Sequence, residues 1–73
     1  MTKLPQISGE ACIKALKRAG FYIDRQKGSH VIMLRDNPRA RAVVPTHKVI
    51  KKGTLHSILK PTGLSIEDFL KLL

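Results

Sequence analysis

Three histidines are the side chains of this sequence best suited to moving protons near neutral pH. An unperturbed imidazole has a pKa of about 6.5, so its neutral and its protonated form are both populated near neutral pH. His30 directly follows Gly28 and Ser29, a pair typical of a tight turn that lets a phosphate approach backbone and side chain together. His30 is therefore the first candidate for a reacting group.

The other two histidines have weaker cases. His47 follows Pro45 in the loop after a predicted strand, where it could be a second proton-transfer group or could hydrogen-bond the loop into place. The structural role is favoured for it. His56 stands beside Leu55 in a helical segment with no motif around it, which indicates a side chain on the helix surface.

Composition alone indicates only affinity for a polyanion. If that polyanion is RNA, its cleavage without a metal ion is one reaction that histidine can serve. It needs one group to take the 2′-hydroxyl proton, one to protonate the leaving 5′-oxygen, and cations to stabilise the phosphorane between them. Histidine suits both proton transfers. RNA binding is predicted for one histidine, five basic residues and the backbone of the turn: His47, Arg25, Lys27, Lys48, Lys51, Lys52, Gly28 and Ser29.

Charge and size agree with a polyanionic partner. The 73 residues hold 14 Lys and Arg against 5 Asp and Glu, and the net charge of +9 favours binding to nucleic acid. A membrane surface is the usual rival, but no apolar run approaches the roughly 20 residues that span a bilayer, and the chain opens without a recognisable signal peptide. We expect a single cytoplasmic domain over residues 1–73.

Neither a metal ion nor another cofactor is expected. Three scattered histidines, one cysteine and no acidic cluster lack the spacing of zinc or magnesium ligands. Cys12 lies among apolar residues at helical spacing, which indicates a buried structural thiol rather than a nucleophile. Ser29 has no carboxylate arranged to activate it, so it is interpreted as a turn residue.

Caps and turn residues define the elements that must position these side chains. Ser8 and Gly20 bracket a first helix. Its buried stripe is predicted at Cys12, Leu16 and Ala19. Three antiparallel strands are predicted over residues 21–26, 30–35 and 40–44. Phe21 and Ile23 are expected on one face of the first strand, and Pro45 is expected to stop the third.

Two helical segments complete the predicted fold. A short helix after Lys52 carries Leu55, Ile58 and Leu59, with Pro61 and Gly63 at its end. A last turn capped by Ser65 has an apolar edge of Ile66, Phe69, Leu72 and Leu73. The order α-β-β-β-α predicts an α+β fold like a double-stranded-RNA-binding domain, with helices on one face of a three-stranded antiparallel sheet.

Strand alternation raises an alternative for His30. It places His30 on the same side of the second strand as Ile32 and Leu34, which could be the core face. In that position His30 would be a packing histidine without a chemical role. A bulge at Gly28 and Ser29 would remove this conflict.

Four ordered segments resemble the HicA toxins. The GSH signature of that family is similar to Gly28-Ser29-His30-Val31-Ile32-Met33, and its VPxH element to Val44-Pro45-Thr46-His47, at the family's spacing. Residues 51–55 with 57–59, and then 63–65 with 69–70, are similar to its C-terminal helix and closing turn. The resemblance covers about residues 8–73. Pro61 and Thr62 replace a helix-compatible pair, so we expect that helix to end about one turn early.

The resemblance implies a toxin of a prokaryotic toxin–antitoxin pair that acts in stress responses. Such a toxin cleaves messenger RNA, is held inactive by a HicB antitoxin and could form an oligomer with it. The resemblance also implies that His30 is the catalytic residue.

Two other functions fit the same composition. A non-catalytic RNA-binding module would share the fold and the charge but would need no titrating side chain. An interaction subunit would use its basic surface to dock an acidic protein. The role of His30 separates the nuclease from both.

Overall fold

The structure, a computed structural model, describes residues 6–73; residues 1–5 of the expected domain lie outside that range. Its elements are α1 (Gly9–Arg18), β1 (Tyr22–Lys27), β2 (His30–Asp36), β3 (Arg39–Pro45), α2 (Lys52–Leu59), a 3₁₀ turn (Lys60–Thr62) and α3 (Ile66–Leu70). The strands form an antiparallel sheet in the order β1-β2-β3. The predicted α-β-β-β-α order is confirmed.

Helix α1 begins and ends where its caps predict. The Ser8 hydroxyl accepts a hydrogen bond from the Ala11 amide at 3.1 Å, and Gly20 adopts the left-handed φ of 95° after the last turn. The predicted buried stripe is confirmed at Cys12 and Leu16, and Ala19, at the helix end, is half-buried and packs against the core. Ala15, which was not predicted, is also fully buried.

The two faces of the sheet have different environments. Residues of β2 and β3 that pack into the core with α1 are Val31, Met33, Ala42 and Val44. The strand register places His30, Ile32 and Leu34 on the opposite face, here called the open face, paired with Pro45, Val43 and Arg41. His30 is exposed there, so the alternative that made it a packing residue on the core face is wrong.

The pairing of strand β1 with β2 is irregular at one point. The register shifts between Ile23 and Arg25, not at the Gly28–Ser29 turn where a bulge was considered. Phe21 precedes the strand and is buried, and Ile23 is paired with the core residue Met33, so the two lie on the core face as expected. Ile23 is nevertheless 45% exposed, because β1 is an edge strand. At the end of β3, Pro45 is included as the last residue of the strand.

The C-terminal helices close the core beside the edge strand β3. Helix α2 and the 3₁₀ turn both contact β3, and the predicted apolar residues of α2 are buried. The helix ends at Leu59, and Pro61 stands in the 3₁₀ turn that replaces its next turn. The Ser65 hydroxyl caps α3 by accepting from the Asp68 amide at 3.0 Å. Leu73 is exposed and does not continue the predicted apolar edge.

Among residues 6–73, no helix has the length and apolar character needed to cross a membrane.

Candidate functional site

His30 is the first residue of β2 and is held by a two-residue turn. Gly28 takes a φ of 59°, a left-handed conformation that favours glycine, and this reverses the chain between Lys27 and His30. Those two residues are cross-strand partners, so their side chains project from the same face. The turn thus presents an imidazole beside a lysine on the open face of the sheet.

The turn is tied to the loop that follows β3. The Ser29 carbonyl accepts hydrogen bonds from the Thr46 amide at 2.8 Å and from the Thr46 hydroxyl at 3.1 Å. On the other side, the Gln26 side-chain amide donates to the Gly28 carbonyl at 3.1 Å. The backbone of Ser29 therefore fixes the position of His30 relative to the loop, in agreement with its interpretation as a turn residue.

The loop is in turn anchored on the N-terminus of α1. The Gly9 amide donates to the His47 carbonyl at 2.8 Å, and the Ile50 amide donates to the Ile7 carbonyl at 2.7 Å. Helix and loop approach so closely at Gly9 that any side chain there would overlap the backbone of Pro45. Sequence reasoning missed Gly9, because its contact partners lie more than thirty positions away.

His30 and His47 line one cavity of about 380 Å³, here called the histidine pocket. Its wall consists of His30, Pro45, His47, Val49, Ile50, Lys51 and Thr54. Both histidines are exposed, so solvent can reach them. The hydrogen bond that holds the loop at His47 is made by its backbone carbonyl and not by its side chain. The imidazole is therefore available to line the pocket.

The N-terminus of α2 contributes positive potential to the histidine pocket. Lys51 is its N-cap residue and offers no side-chain hydrogen bond to the first turn, which contains no acidic residue. Thr54 of that turn lines the pocket together with Lys51. Unfilled amide donors and the positive end of a helix dipole favour an anion at this place.

A second cavity, of about 530 Å³, opens from His30 between the open sheet face and α2, and we call it the helix groove. Its wall consists of His30, Arg41, Val43, Pro45, Thr54, Ser57, Ile58 and Pro61. Sequence reasoning missed Arg41, Thr54 and Ser57. The alternation of Arg41 and Val43 with the small residues of β3 was a signal that could have placed Arg41 on one face of its strand together with Val43.

The remaining predicted RNA-binding residues are dispersed. The strand register places Arg25 and Lys27 on the open face with His30. Lys52 is exposed in the first turn of α2 but lines neither cavity. Lys48 lines a different cavity, between α1 and β1, which His47 also borders.

Few acidic groups compensate these cations. Within residues 6–73 the ion pairs are Lys14 with Glu10 at 3.6 Å and Arg25 with the neighbouring Asp24 at 3.7 Å, both at exposed positions. Exposed ion pairs of this kind are weak. The basic residues around the two cavities are therefore available to a polyanion.

Two other side chains agree with their structural interpretations. His56 is exposed on α2 and lines neither the histidine pocket nor the helix groove. Cys12 is fully buried in α1, and this burial raises the pKa of its thiol from 9.0 to about 12. Such a thiol is protonated at neutral pH and is a poor nucleophile.

In the part of the chain that the structure describes, no three His, Cys, Asp or Glu side chains are grouped so that they could hold a metal ion.

Comparison with known families gives a match over most of the chain. A family model described as the HicA toxin of bacterial toxin–antitoxin systems matches residues 9–64 of the 73-residue chain. The matched range includes both candidate histidines, the turn before β2 and all of α2. No curated protein matches the chain.

Proposed function

The chain belongs to the HicA toxin family and is the toxin of a toxin–antitoxin pair, and from this premise we propose that it is a metal-independent endoribonuclease that cleaves messenger RNA. The observation that carries the proposal is the histidine pocket. It joins two exposed imidazoles, a lysine and the positive end of α2 around one space open to solvent.

His30 and His47 are proposed as the two proton-transfer groups. One imidazole takes the proton of the 2′-hydroxyl, and the 2′-oxygen then attacks the adjacent phosphorus. The bond from phosphorus to the 5′-oxygen breaks, and the second imidazole, in its protonated form, gives that oxygen its proton. The products are a 2′,3′-cyclic phosphate and a free 5′-hydroxyl.

Stabilisation of the phosphorane is proposed for the groups that carry positive charge around the same space. Lys51 and Thr54, at the N-terminus of α2, border the pocket from one side. Lys27 lies on the same sheet face as His30. Such groups are effective because they are fixed in place before the charge develops on the phosphate oxygens.

The test of this function is a cleavage assay in excess chelator. The protein should cut a single-stranded RNA oligonucleotide under these conditions and leave a 2′,3′-cyclic phosphate. It should not cut the DNA oligonucleotide of the same sequence, because the nucleophile is supplied by the substrate. Binding of the RNA without cleavage would contradict the proposal and would favour a non-catalytic RNA-binding module.

For control of the toxin we propose a HicB antitoxin that covers the histidine pocket. The net charge of +9 would steer an acidic partner to the basic surface that RNA needs. We expect the antitoxin and a non-cleavable 2′-O-methyl RNA to compete for the protein in a fluorescence anisotropy titration. A ternary complex in which neither ligand weakens the other would show that the antitoxin inhibits from another surface.

A further inference from the structure

We propose that the helix groove binds a nucleobase of the RNA, next to the scissile phosphate, and thereby selects the cleavage site. This proposal rests on the nuclease function proposed above and assigns a subsite to it. The histidine pocket supplies the proton transfers and the helix groove supplies the contact with a base.

The two cavities are adjacent. His30, Pro45 and Thr54 line both of them, so a phosphate held beside His30 has its neighbouring nucleotide at the mouth of the helix groove. A base attached to that nucleotide can enter the groove without a change in the position of the phosphate.

The walls of the groove have the chemistry of a base-binding site. Val43 and Pro45 of the sheet lie on one side, and Ile58 and Pro61 form the apolar part of the other. Val43 is 38% exposed, an apolar surface that an inserted flat ring would cover. Burial of the π-face of a base against such walls is favourable for every base.

Polar groups of the groove can read the edge of the base. The Ser57 hydroxyl donates its proton to the Gly53 carbonyl at 3.1 Å, so toward the groove its oxygen acts as an acceptor for an N–H group. Thr54 adds a second hydroxyl, and Arg41 adds a cation that attracts the phosphate backbone of RNA. Both hydroxyls come from α2, so the recognising atoms are held on a rigid element.

Size and charge favour a nucleotide over a protein segment as the occupant. A volume of about 530 Å³ is in the range of small-ligand sites. Among the residues 6–73 that line the groove, Arg41 is cationic and none is acidic, and the groove lies beside the proposed cleavage site on a chain of net charge +9. These features suit a substrate that is itself anionic.

The test pairs a groove-filling variant with substrates that lack one base. The cleavage site of an RNA oligonucleotide is first mapped with the wild-type protein. Two further oligonucleotides then carry an abasic ribose on either side of that site, which keeps the 2′-hydroxyl and the phosphate. Wild-type kcat/KM should fall by about tenfold for one of the two abasic positions, because the burial of the base against the apolar walls is lost.

Ser57→Leu fills the groove from an exposed helix position where leucine is a good helix former. For this variant the ratio of kcat/KM between intact and abasic RNA should be close to one. His56→Leu, a matched change on the same helix outside the groove, should keep the wild-type ratio. Thermal melting of both variants checks that they are folded.

Two outcomes would overturn the subsite. One is wild-type cleavage that is insensitive to abasic ribose at both positions. The other is a Ser57→Leu variant that loses activity equally on intact and abasic RNA, which would assign the groove to the fold or to a protein partner. A wild-type protein that does not cleave intact RNA would instead contradict the nuclease function itself.

Discussion

Replacing His30 with alanine should lower the rate of RNA cleavage by about 10²–10⁴-fold, the usual contribution of one proton-transfer group. The variant should remain folded, because the side chain of His30 is exposed and does not belong to the core. RNA affinity should stay near the wild-type value, because Lys27, Lys51 and Arg41 are retained. Single-turnover cleavage measures the first effect, and binding of a non-cleavable RNA measures the second.

His56→Ala is the matched control for that experiment. It removes an exposed imidazole that lines neither cavity, so cleavage should be unchanged. A folded His30→Ala protein with wild-type activity would exclude His30 as a catalytic residue. Loss of RNA affinity together with activity would make it a binding residue.

The largest effect on stability is expected for Gly9→Ala. A Cβ atom at this position would overlap the carbonyl oxygen of Pro45 and would lie 3.0 Å from its carbonyl carbon and from the Cα of Thr46. These are backbone atoms, which cannot rotate away as a side chain would. Overpacking of this kind costs about 1–3 kcal/mol of unfolding free energy. In a domain of this size each kcal/mol lowers the Tm by roughly 4–8 °C.

Gly53→Ala is the opposite case within α2. Within the described residues 6–73, no atom lies within 4 Å of a Cβ built at Gly53, and its φ is outside the left-handed region, so the change should stabilise the helix by about 0.5–1 kcal/mol. Thermal melting of the two variants compares them directly. A Gly9→Ala protein as stable as the wild type would show that the loop after β3 is free to move away from α1, and would weaken the view that it fixes His47.

Local signals in the sequence were sufficient for the boundaries of most elements. The cap at Ser8, the glycine at position 20 and the cap at Ser65 act through hydrogen bonds or backbone angles within a few residues. Their effects do not depend on the rest of the fold. The turns before and after β2 were also predicted from local signals, the glycine and proline residues within them.

The environment of His30 could not be predicted in this way. Alternation shows that His30, Ile32 and Leu34 share a side, but only the position of α1 decides which side is the core. Ile32 even resembles a core residue, since it is 6% exposed on the open face. The helix groove could not be predicted from local signals either, because Arg41 and Ser57 line one cavity only after α2 has packed against β3.

The burial of Cys12 has a practical consequence for following the protein outside a purified sample. It is the chain's single cysteine, and in the folded state its thiol is both covered and protonated near neutral pH. A thiol-specific alkylating reagent therefore modifies the chain when the core opens, since α1 must leave the sheet before the sulfur is reached. The rate of alkylation therefore reports the fraction of the protein that is unfolded, without an engineered label. In a crude extract, comparing this rate with and without the antitoxin would show how strongly the antitoxin protects the toxin from unfolding.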